Sequence, residues 1–360
     1  MITSCKEVYN PTIKNAGNTY LVVEGNIGAG NDSTFIHLSR TIPVADSSTK
    51  QPETNATVKV ESENGDTYQL HNLNNGVYYA APLNINPNEN YRLHIFTEDG
   101  KEYASDYVPV KITPAIDSVS WKFDETAGIN IYVNTHDAGN KTQYYRWQYV
   151  ATYEHRSVDS SSLIYDNGLR FRLPQEQIYH CYNIDTSGEI FLASTAGLSS
   201  DIVHEKKLVY IQYEGIEVRW VYSINVTQYA LTKEAYEYWD NLKKNTEQLG
   251  SIFDPQPFAA YGNIHCISNP SEPVLGYISA CSATQQRIYI YYLQVHYPYV
   301  LTDCKPFIVS PNDIDEVFSK TFLNLPLRYG DFGSVIGYTT ECLDCRLQGG
   351  TNVKPSYMPY

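Results

Sequence analysis

Residues 57–70, TVKVESENGDTYQL, carry the clearest structural signal in the sequence. Val58 and Val60 alternate with polar residues, as in a strand that buries one face. Asn64-Gly65-Asp66 follows, and these residue types are a hairpin turn signal. Tyr68-Gln69-Leu70 then predicts the returning strand. This region therefore predicts a β-hairpin.

Short β-like segments flank this hairpin on both sides and recur about every eight to twelve residues between turn signals. The segments lie at Tyr20–Glu24, Thr34–Arg40, Gly76–Tyr79 and Tyr91–Phe96. This spacing is typical of a small β-sandwich of immunoglobulin or transthyretin type. We therefore predict an N-terminal β-sandwich over residues 19–112, with the proline-flanked segment 109–114 as its boundary.

The same pattern resumes beyond this boundary and predicts a second β-sandwich, of fibronectin type III style, over residues 113–360. Its strands are expected at Val119–Phe123, Ile129–Val133, Tyr144–Tyr149, Leu208–Tyr213, Glu217–Ile224 and Arg287–Tyr292. The tail after Tyr329 is expected to be a loop-like, cysteine-containing extension. The chain is thus expected to be mainly β, with two sandwich domains.

One helical insertion is expected at about residues 231–250. Thr232 is suited to cap the N-terminus of a helix. Apolar residues then recur at helical spacing, and Gly250 follows as a stop signal. A shorter helix is expected after Ser310-Pro311.

Composition narrows the class of protein further. Apolar residues make up 42% of the 360 residues and charged residues 18%, which indicates a globular rather than a disordered chain. The net charge of −14 argues against nucleic acid or an anionic membrane surface as the main partner. The 33 tyrosines favour strands and adhesive surfaces over helical cores.

Cys5 is a candidate for lipid modification. Ile2-Thr3-Ser4-Cys5 resembles the end of a bacterial lipobox, and residues 6–18 form a polar segment suited to a tether. The two or three acyl chains of a mature lipoprotein cysteine would anchor the chain stably. We therefore expect residues 1–18 to be a lipid-anchor tether. The alternative is an ordinary exposed cysteine.

Six further cysteines are candidates for disulfides, since an exported chain with an even number of cysteines favours such bridges. They are Cys181, Cys266, Cys281, Cys304, Cys342 and Cys345. Cys342-Leu343-Asp344-Cys345 is a CxxC motif, but a zinc site would need a second such pair. A structural disulfide, with Cys304 as one possible partner, is the favoured interpretation.

Catalytic motifs are scarce. Val23–Gly30 is similar to a phosphate-binding loop, but Asn31 stands where the lysine is required and Asp32 where the hydroxyl is required. We interpret it as a glycine-rich turn between strands. No catalytic residues, metal or cofactor are predicted, and the chain is not expected to be an enzyme.

Asp254-Pro255-Gln256-Pro257 forms a stiff segment after the predicted helix. Rigid proline segments lose little entropy on binding, so these four residues are a candidate recognition loop. The alternative is a structural corner.

Several segments together resemble an uncharacterised family of Bacteroidota outer-membrane lipoproteins, classified as a domain of unknown function. The likeness runs from about residue 5 to 360, and the segments are Leu21–Ile27, Ile36–Thr41, Gly250–Pro257, Gly262–Ile264, Val274–Tyr277, Cys342–Arg346, Gly349–Asn352 and Lys354-Pro355. Cys266 and Cys281 depart from the pattern, and a private disulfide between them is expected.

Members of this family are often encoded beside TonB-dependent receptors. The resemblance therefore implies a lipid-anchored outer-membrane protein at the cell surface that assists such a transporter or captures its ligand. The alternative function is a stand-alone carbohydrate- or host-binding adhesin. The family offers no catalytic residues to carry over.

Overall fold

A computed structural model of the chain describes residues 19–42, 51–213, 215–247, 262–295, 303–319 and 323–359. Strands dominate these residues and helices are few and short, so the prediction of a mainly β protein is confirmed. Cys5 and Asp254–Pro257 lie outside the described residues.

The elements are numbered in chain order. The first ten strands are β1 Leu21–Gly28, β2 Thr34–Arg40, β3 Gln51–Pro52, β4 Thr57–Ser62, β5 Thr67–Gln69, β6 His71–Asn72, β7 Val77–Ala80, β8 Asn90–Phe96, β9 Glu102–Ser105 and β10 Val108–Lys111. The next nine are β11 Ile116–Asp124, β12 Gly128–His136, β13 Tyr144–Arg156, β14 Leu163–Tyr165, β15 Leu169–Phe171, β16 His180–Thr186, β17 Phe191–Ser194, β18 Ile202–Gln212 and β19 Val221–Ala230. The remaining elements are α1 Lys233–Glu247, β20 Ile264–Cys266, β21 Ala280–Cys281, β22 Ala283–Tyr291, α2 Tyr292–Val295, β23 Phe307–Val309, α3 Ile314–Ser319, β24 Asn324–Tyr329, β25 Val335–Thr339 and α4 Thr340–Leu343.

The hairpin predicted at residues 57–70 is present. Strand β4 pairs antiparallel with β5, and Val60 lies opposite Tyr68. Val58 and Val60 are fully buried, as their alternation predicts. Gly65 has a φ of +98°, a conformation that glycine adopts without steric cost.

The chain divides into two compact units, and the first contains residues 1–114, 141–146 and 229–283. Its strands form one continuous ladder in the order β20-β9-β8-β10-β21-β1-β2-β7-β6, with β3, β4 and β5 attached at its sides. Residues 229–283 were expected in the second domain. They join the first unit because β21 pairs with both β1 and β10, and β20 pairs with β9.

Helix α1 belongs to this first unit and matches the predicted helical insertion. The Oγ1 of Thr232 accepts a hydrogen bond from the backbone N of Ala235 at 3.2 Å, which is the N-terminal cap that the sequence predicts. Ala235 is fully buried at the base of the helix.

Most of the glycine-rich segment Val23–Gly30 lies in β1, and the turn begins at Ala29. A strand and not a helix follows, which agrees with the rejection of a phosphate-binding loop. Strands β1 and β2 pair antiparallel on either side of this turn, and Gly30 turns the chain with a φ of +66°. The Asp32 carboxylate accepts a hydrogen bond from the backbone N of Ala283 at 2.6 Å. Asp32 therefore has a structural role.

A group of ionisable side chains around Arg40, named here the Arg40 cluster, lies in the first unit, and all of its members except the exposed Asp99 are buried or half-buried. Arg40 Nε donates to Glu53 Oε2 at 2.7 Å, and Lys101 Nζ donates to Glu272 Oε2 at the same distance. The members of the cluster are Arg40, Glu53, Asp99, Lys101, Tyr103 and Glu272. Each of them has at least one oppositely charged or hydrogen-bonding partner within the cluster.

The second unit contains residues 115–140, 147–228 and 284–360. One of its sheets has the order β11-β12-β18, and a second has the order β16-β13-β19-β22, with β17 also paired to β13. Trp147 is fully buried, and its Nε1 donates to Gln228 Oε1 at 2.8 Å.

The tail after Tyr329 is more regular than expected. Strand β25 lies between β23 and β24 in a three-stranded sheet, so the expectation of a loop was wrong. Val335 and Gly337 both belong to this short strand, which is difficult to recognise because its pairing partners supply most of its stability.

Candidate functional site

A pocket of about 310 Å³ lies in the second unit, between strands of its five-stranded sheet and strand β18 of its β11-β12-β18 sheet. Strands β13, β16 and β19 belong to one sheet, and β18 belongs to the other. The residues that line it are Tyr149, Tyr153, Asn183, Ile184, Asp185, Val209, Tyr210, Ile211, Glu217 and Tyr222. We name it the tyrosine pocket, because four of its ten lining residues are tyrosines.

Strand alternation explains why two of these tyrosines share the pocket. Side chains at every second position of β13 project to the same face of the sheet. On this face, Trp147 and Ala151 are buried in the core, and Tyr149 and Tyr153 are partly buried at the pocket. The sequence of β13 thus supplies both core residues and pocket walls from one face.

The pairing of β13 with β16 brings the polar residues of β16 to the same place. Tyr153 lies opposite Asn183, and Ala151 lies opposite Asp185. The Nδ2 of Asn183 donates a hydrogen bond to the Tyr153 hydroxyl at 3.0 Å. Register therefore fixes the position of both side chains.

Two phenol groups in the pocket carry no hydrogen bond within the described residues, those of Tyr149 and Tyr222. Burial raises the pKa of Tyr222, and the neighbouring Tyr149, Asp185 and Glu217 raise it further. Burial and the carboxylates of Asp185 and Glu189 likewise raise the pKa of Tyr149. Both phenols therefore stay protonated at neutral pH and can donate hydrogen bonds to a bound molecule.

Glu217 is the third polar side chain of the pocket that can form a further hydrogen bond. Its Oε2 is buried and has no hydrogen-bond partner within the described residues. Buried polar atoms are normally satisfied, so this oxygen can accept a hydrogen bond from a water or a ligand in the pocket. Among the described residues, three other buried side-chain atoms have no hydrogen-bond partner. They belong to Asn130, His155 and Gln286, none of which lines the pocket.

The lining favours recognition of a polar molecule. It combines aromatic faces, phenol donors, an amide and two carboxylates, and it includes no lysine, arginine or histidine. Within the described ranges, no group of three or more histidine, cysteine or acidic residues is placed to hold a metal ion.

Two disulfides form among the six candidate cysteines. Cys181 bonds to Cys345 and Cys304 bonds to Cys342, with Cα separations of 5.7 and 5.8 Å. The cysteines of the CxxC motif thus have different partners, and the predicted structural role of the motif is confirmed. Cys181 also lies at the start of β16, two residues before Asn183 of the pocket.

Cys266 and Cys281 are buried and unbonded, so the expected disulfide between them was wrong. Cys266 lies on β20 and Cys281 on β21, and β9, β8 and β10 separate these strands in the sheet. Adjacent strands are about 4.8 Å apart, whereas a disulfide needs Cα atoms within about 7 Å. Burial raises the pKa of the Cys281 thiol to about 12, which keeps it protonated.

Sequence reasoning did not identify the pocket residues. The tyrosine excess was the available signal, and strands at three of the four positions were predicted. The pocket also depends on which faces of β13, β16, β18 and β19 meet, and this requires strand pairing over long separations.

These features define a mainly β protein of two compact units, with a polar, aromatic pocket in the second unit. The chain belongs to the family described as Domain of unknown function (DUF4249), whose model matches residues 6–287. The resemblance to a domain-of-unknown-function family is thus established over that range, whereas the bacterial origin and the lipid anchor stay predictions. No curated protein matches the chain.

Comparison with solved structures returns other β-rich proteins. A two-domain fibronectin type-III segment of chicken tenascin is 12% identical, with 59% of this chain and 91% of that chain covered and a TM-score of 0.17. The FN1–FN3 domains of chicken CNTN1 are 13% identical, with 57% and 59% covered and a TM-score of 0.19. A Salmonella alpha-2-macroglobulin is 10% identical, with 83% and 16% covered and a TM-score of 0.20.

None of the helices in the described part of the chain is both long and apolar enough to cross a membrane. The longest of them, α1, has 15 residues and is strongly polar.

Proposed function

We propose that this chain is a surface-exposed outer-membrane lipoprotein that captures a ligand for a TonB-dependent transporter in nutrient uptake. The tyrosine pocket carries the ligand-capture part of the proposal. Its unpaired Glu217 oxygen and its two unengaged phenols provide hydrogen-bonding capacity that the described residues do not use.

The composition of the pocket favours binding over catalysis. Nucleophilic catalysis usually pairs a serine, cysteine or threonine with a neighbouring base, and none of these nucleophiles lines the pocket. The polar groups present are suited to orienting a ligand, and the aromatic faces are suited to burying it.

The anchoring part of the proposal is supported by the sequence. Ile2-Thr3-Ser4-Cys5 resembles the end of a lipobox, and Lys6-Glu7 after the cysteine resembles a weak surface-export signal. Acylation of Cys5 would hold the two units at the membrane surface through the polar segment that follows.

Isolation of the full-length protein from bacterial outer membranes tests this function. We expect it to be recovered together with a TonB-dependent transporter, and a Cys5→Ala variant to be lost from the membrane fraction. A Cys266→Ala variant is the matched control, because Cys266 is unbonded, and it should be recovered as the wild type is. Recovery of the wild type as a lone lipoprotein in several detergents would contradict the proposal.

A stand-alone carbohydrate- or host-binding adhesin is the second candidate. Phe171 and Tyr329, which are 67% and 47% exposed, pack edge to face on the surface of the second unit. Exposed aromatic pairs of this kind can stack on sugars or form hot spots with proteins. A glycan array without hits, together with unchanged attachment of a deletion strain, would remove this candidate.

A further inference from the structure

The charged side chains that line the tyrosine pocket are all acidic. Asp185 and Glu217 are its two lining carboxylates, and no lysine, arginine or histidine lines it. An anionic ligand would meet uncompensated repulsion here, since no lysine or arginine of the lining could offset its charge. The pocket therefore selects against carboxylates, phosphates and sulfates.

Within the described part of the chain, Glu217 lacks a hydrogen-bond partner that a ligand could supply. Its Oε2 atom is buried without a hydrogen-bond partner within the described residues, and a buried polar atom is normally hydrogen-bonded. The local chain is fitted to this side chain, because a Cβ atom at position 215 would lie only 2.3 Å from Glu217 Oε2. Gly215 thus leaves room for a carboxylate that the described residues do not pair.

The aromatic walls point to the same ligand chemistry. Tyrosine rings attract a cation that lies over their faces, and the attraction strengthens as the site loses water. The second unit uses this contact elsewhere, with Arg156 lying 3.6 Å from the Trp220 ring centroid and Arg287 3.9 Å from that of Tyr357. Lys207 Nζ already lies 4.9 Å from the ring centroid of Tyr210. No lysine, arginine or histidine lines the pocket, so the faces of Tyr149, Tyr153 and Tyr222 are the ones offered to a cation.

We propose that the tyrosine pocket binds a small organic cation, through an ammonium group that pairs with Glu217 and lies against the tyrosine rings. This inference rests on the ligand-capture role proposed above and names its ligand class. The cavity of about 310 Å³ is at the small end of ligand pockets, so the cation is a metabolite-sized molecule.

Calorimetric titration of the purified full-length chain tests the proposal with probes matched in shape. Choline is compared with 3,3-dimethyl-1-butanol, in which carbon replaces the charged nitrogen, and glucosamine is compared with glucose. We expect at least one cation to bind about tenfold or more tightly than its neutral counterpart. Neutral counterparts that bind as tightly as the cations, or no cation binding up to about 10 mM, would overturn the proposal.

Substitutions locate the binding. Glu217→Gln keeps the shape and removes the charge, and it should weaken cation binding by about tenfold or more. Glu125→Gln is the control with the same charge change, on an exposed turn of the same unit, and it should bind as the wild type does. Asp185 is an exposed pocket residue, so Asp185→Asn should leave the fold intact. This variant should weaken cation binding by about threefold.

Cation binding that both Glu217→Gln and Asp185→Asn leave unchanged would place the ligand elsewhere and overturn the assignment. These titrations involve neither a membrane nor a transporter. If no cation binds, the test of membrane anchoring and of the transporter partner is not affected. If the protein is recovered from membranes without a transporter, the proposal that the pocket binds a cation is not affected.

Discussion

The Arg40 cluster of the first unit and the tyrosine pocket of the second both place ionisable groups away from water, but they treat those groups differently. Arg40 is bonded to Glu53, and Glu272 accepts hydrogen bonds from Lys101 and from the hydroxyl of Tyr103. In the pocket, Glu217 Oε2 has no partner within the described residues. A fully paired cluster serves the fold, whereas an unpaired group in a cavity is available to a ligand.

Of the substitutions considered, replacement of Arg40 should lower the free energy of unfolding most. Burial opposes the charge of Arg40, but hydrogen bonds to Glu53 and Tyr103 outweigh it and raise the Arg40 pKa. Arg40→Met leaves the largely buried Glu53 carboxylate unpaired and should lower the free energy of unfolding by about 3–5 kcal/mol. Urea denaturation measures this change.

Two further variants control this experiment. Arg328→Met, at an exposed arginine, should change the free energy of unfolding by less than about 0.5 kcal/mol. Adding Glu53→Gln to Arg40→Met should recover part of the loss, since the unpaired charge is then removed. A cost below about 1 kcal/mol for Arg40→Met would show that the cluster does not stabilise the fold.

Glu61, whose carboxylate accepts hydrogen bonds from three basic side chains, should stabilise the fold in a pH-dependent way. Burial raises the pKa of Glu61, but hydrogen bonds from Lys59, His94 and Arg92 outweigh it and lower the pKa to about 2. The folded-state pKa is thus below that of the unfolded chain. The stabilisation is present above about pH 4.5 and is lost as the pH falls toward about 2.

Glu61→Gln should therefore lower the free energy of unfolding at pH 7, by up to about 3 kcal/mol. The difference from the wild type should shrink as the pH falls from about 4.5 to about 2. Glu63→Gln, at an exposed neighbour, is the control with the same change of charge, and it should change the free energy of unfolding at pH 7 by less than about 0.5 kcal/mol. A Glu61→Gln deficit that is constant across this range would contradict the linkage.

The third and smallest effect compares two buried tyrosines. The Tyr78 hydroxyl donates to Glu53 O at 2.9 Å and accepts from Ala56 N at 2.8 Å, whereas the Tyr222 hydroxyl has no hydrogen bond within the described residues. Tyr78→Phe should cost about 1–3 kcal/mol, because it leaves a buried backbone N–H unsatisfied. Tyr222→Phe should cost less than about 0.5 kcal/mol. Equal costs in thermal or urea unfolding would remove the distinction between the two regions.

The sequence predicted elements whose signals are local. The β4–β5 hairpin follows from the alternation of Val58 and Val60 and from Asn64-Gly65, and α1 follows from its Thr232 cap and amphipathic pattern. These signals act over a few residues, so they do not depend on the rest of the chain.

Long-range pairing limited the other predictions. Strands β20 and β21 have only three and two residues, and their sheet positions come from partners more than 150 residues away. The division between the units and the unbonded state of Cys266 and Cys281 both depend on these pairings. The tyrosine pocket depends on the register of β13 with β16 and on the position of Glu217 between β18 and β19.

The central claim is that Glu217 is unpaired because it serves a ligand, and urea unfolding of Glu217→Gln with and without choline tests it most directly. Without choline, the variant should be at least as stable as the wild type, because Glu217 Oε2 has no hydrogen-bond partner among the described residues to lose. At a choline concentration about a hundredfold above the wild-type Kd, the wild type should gain about 2.7 kcal/mol and the variant about half as much. A variant that is less stable without choline, or equal gains for both proteins, would contradict the claim.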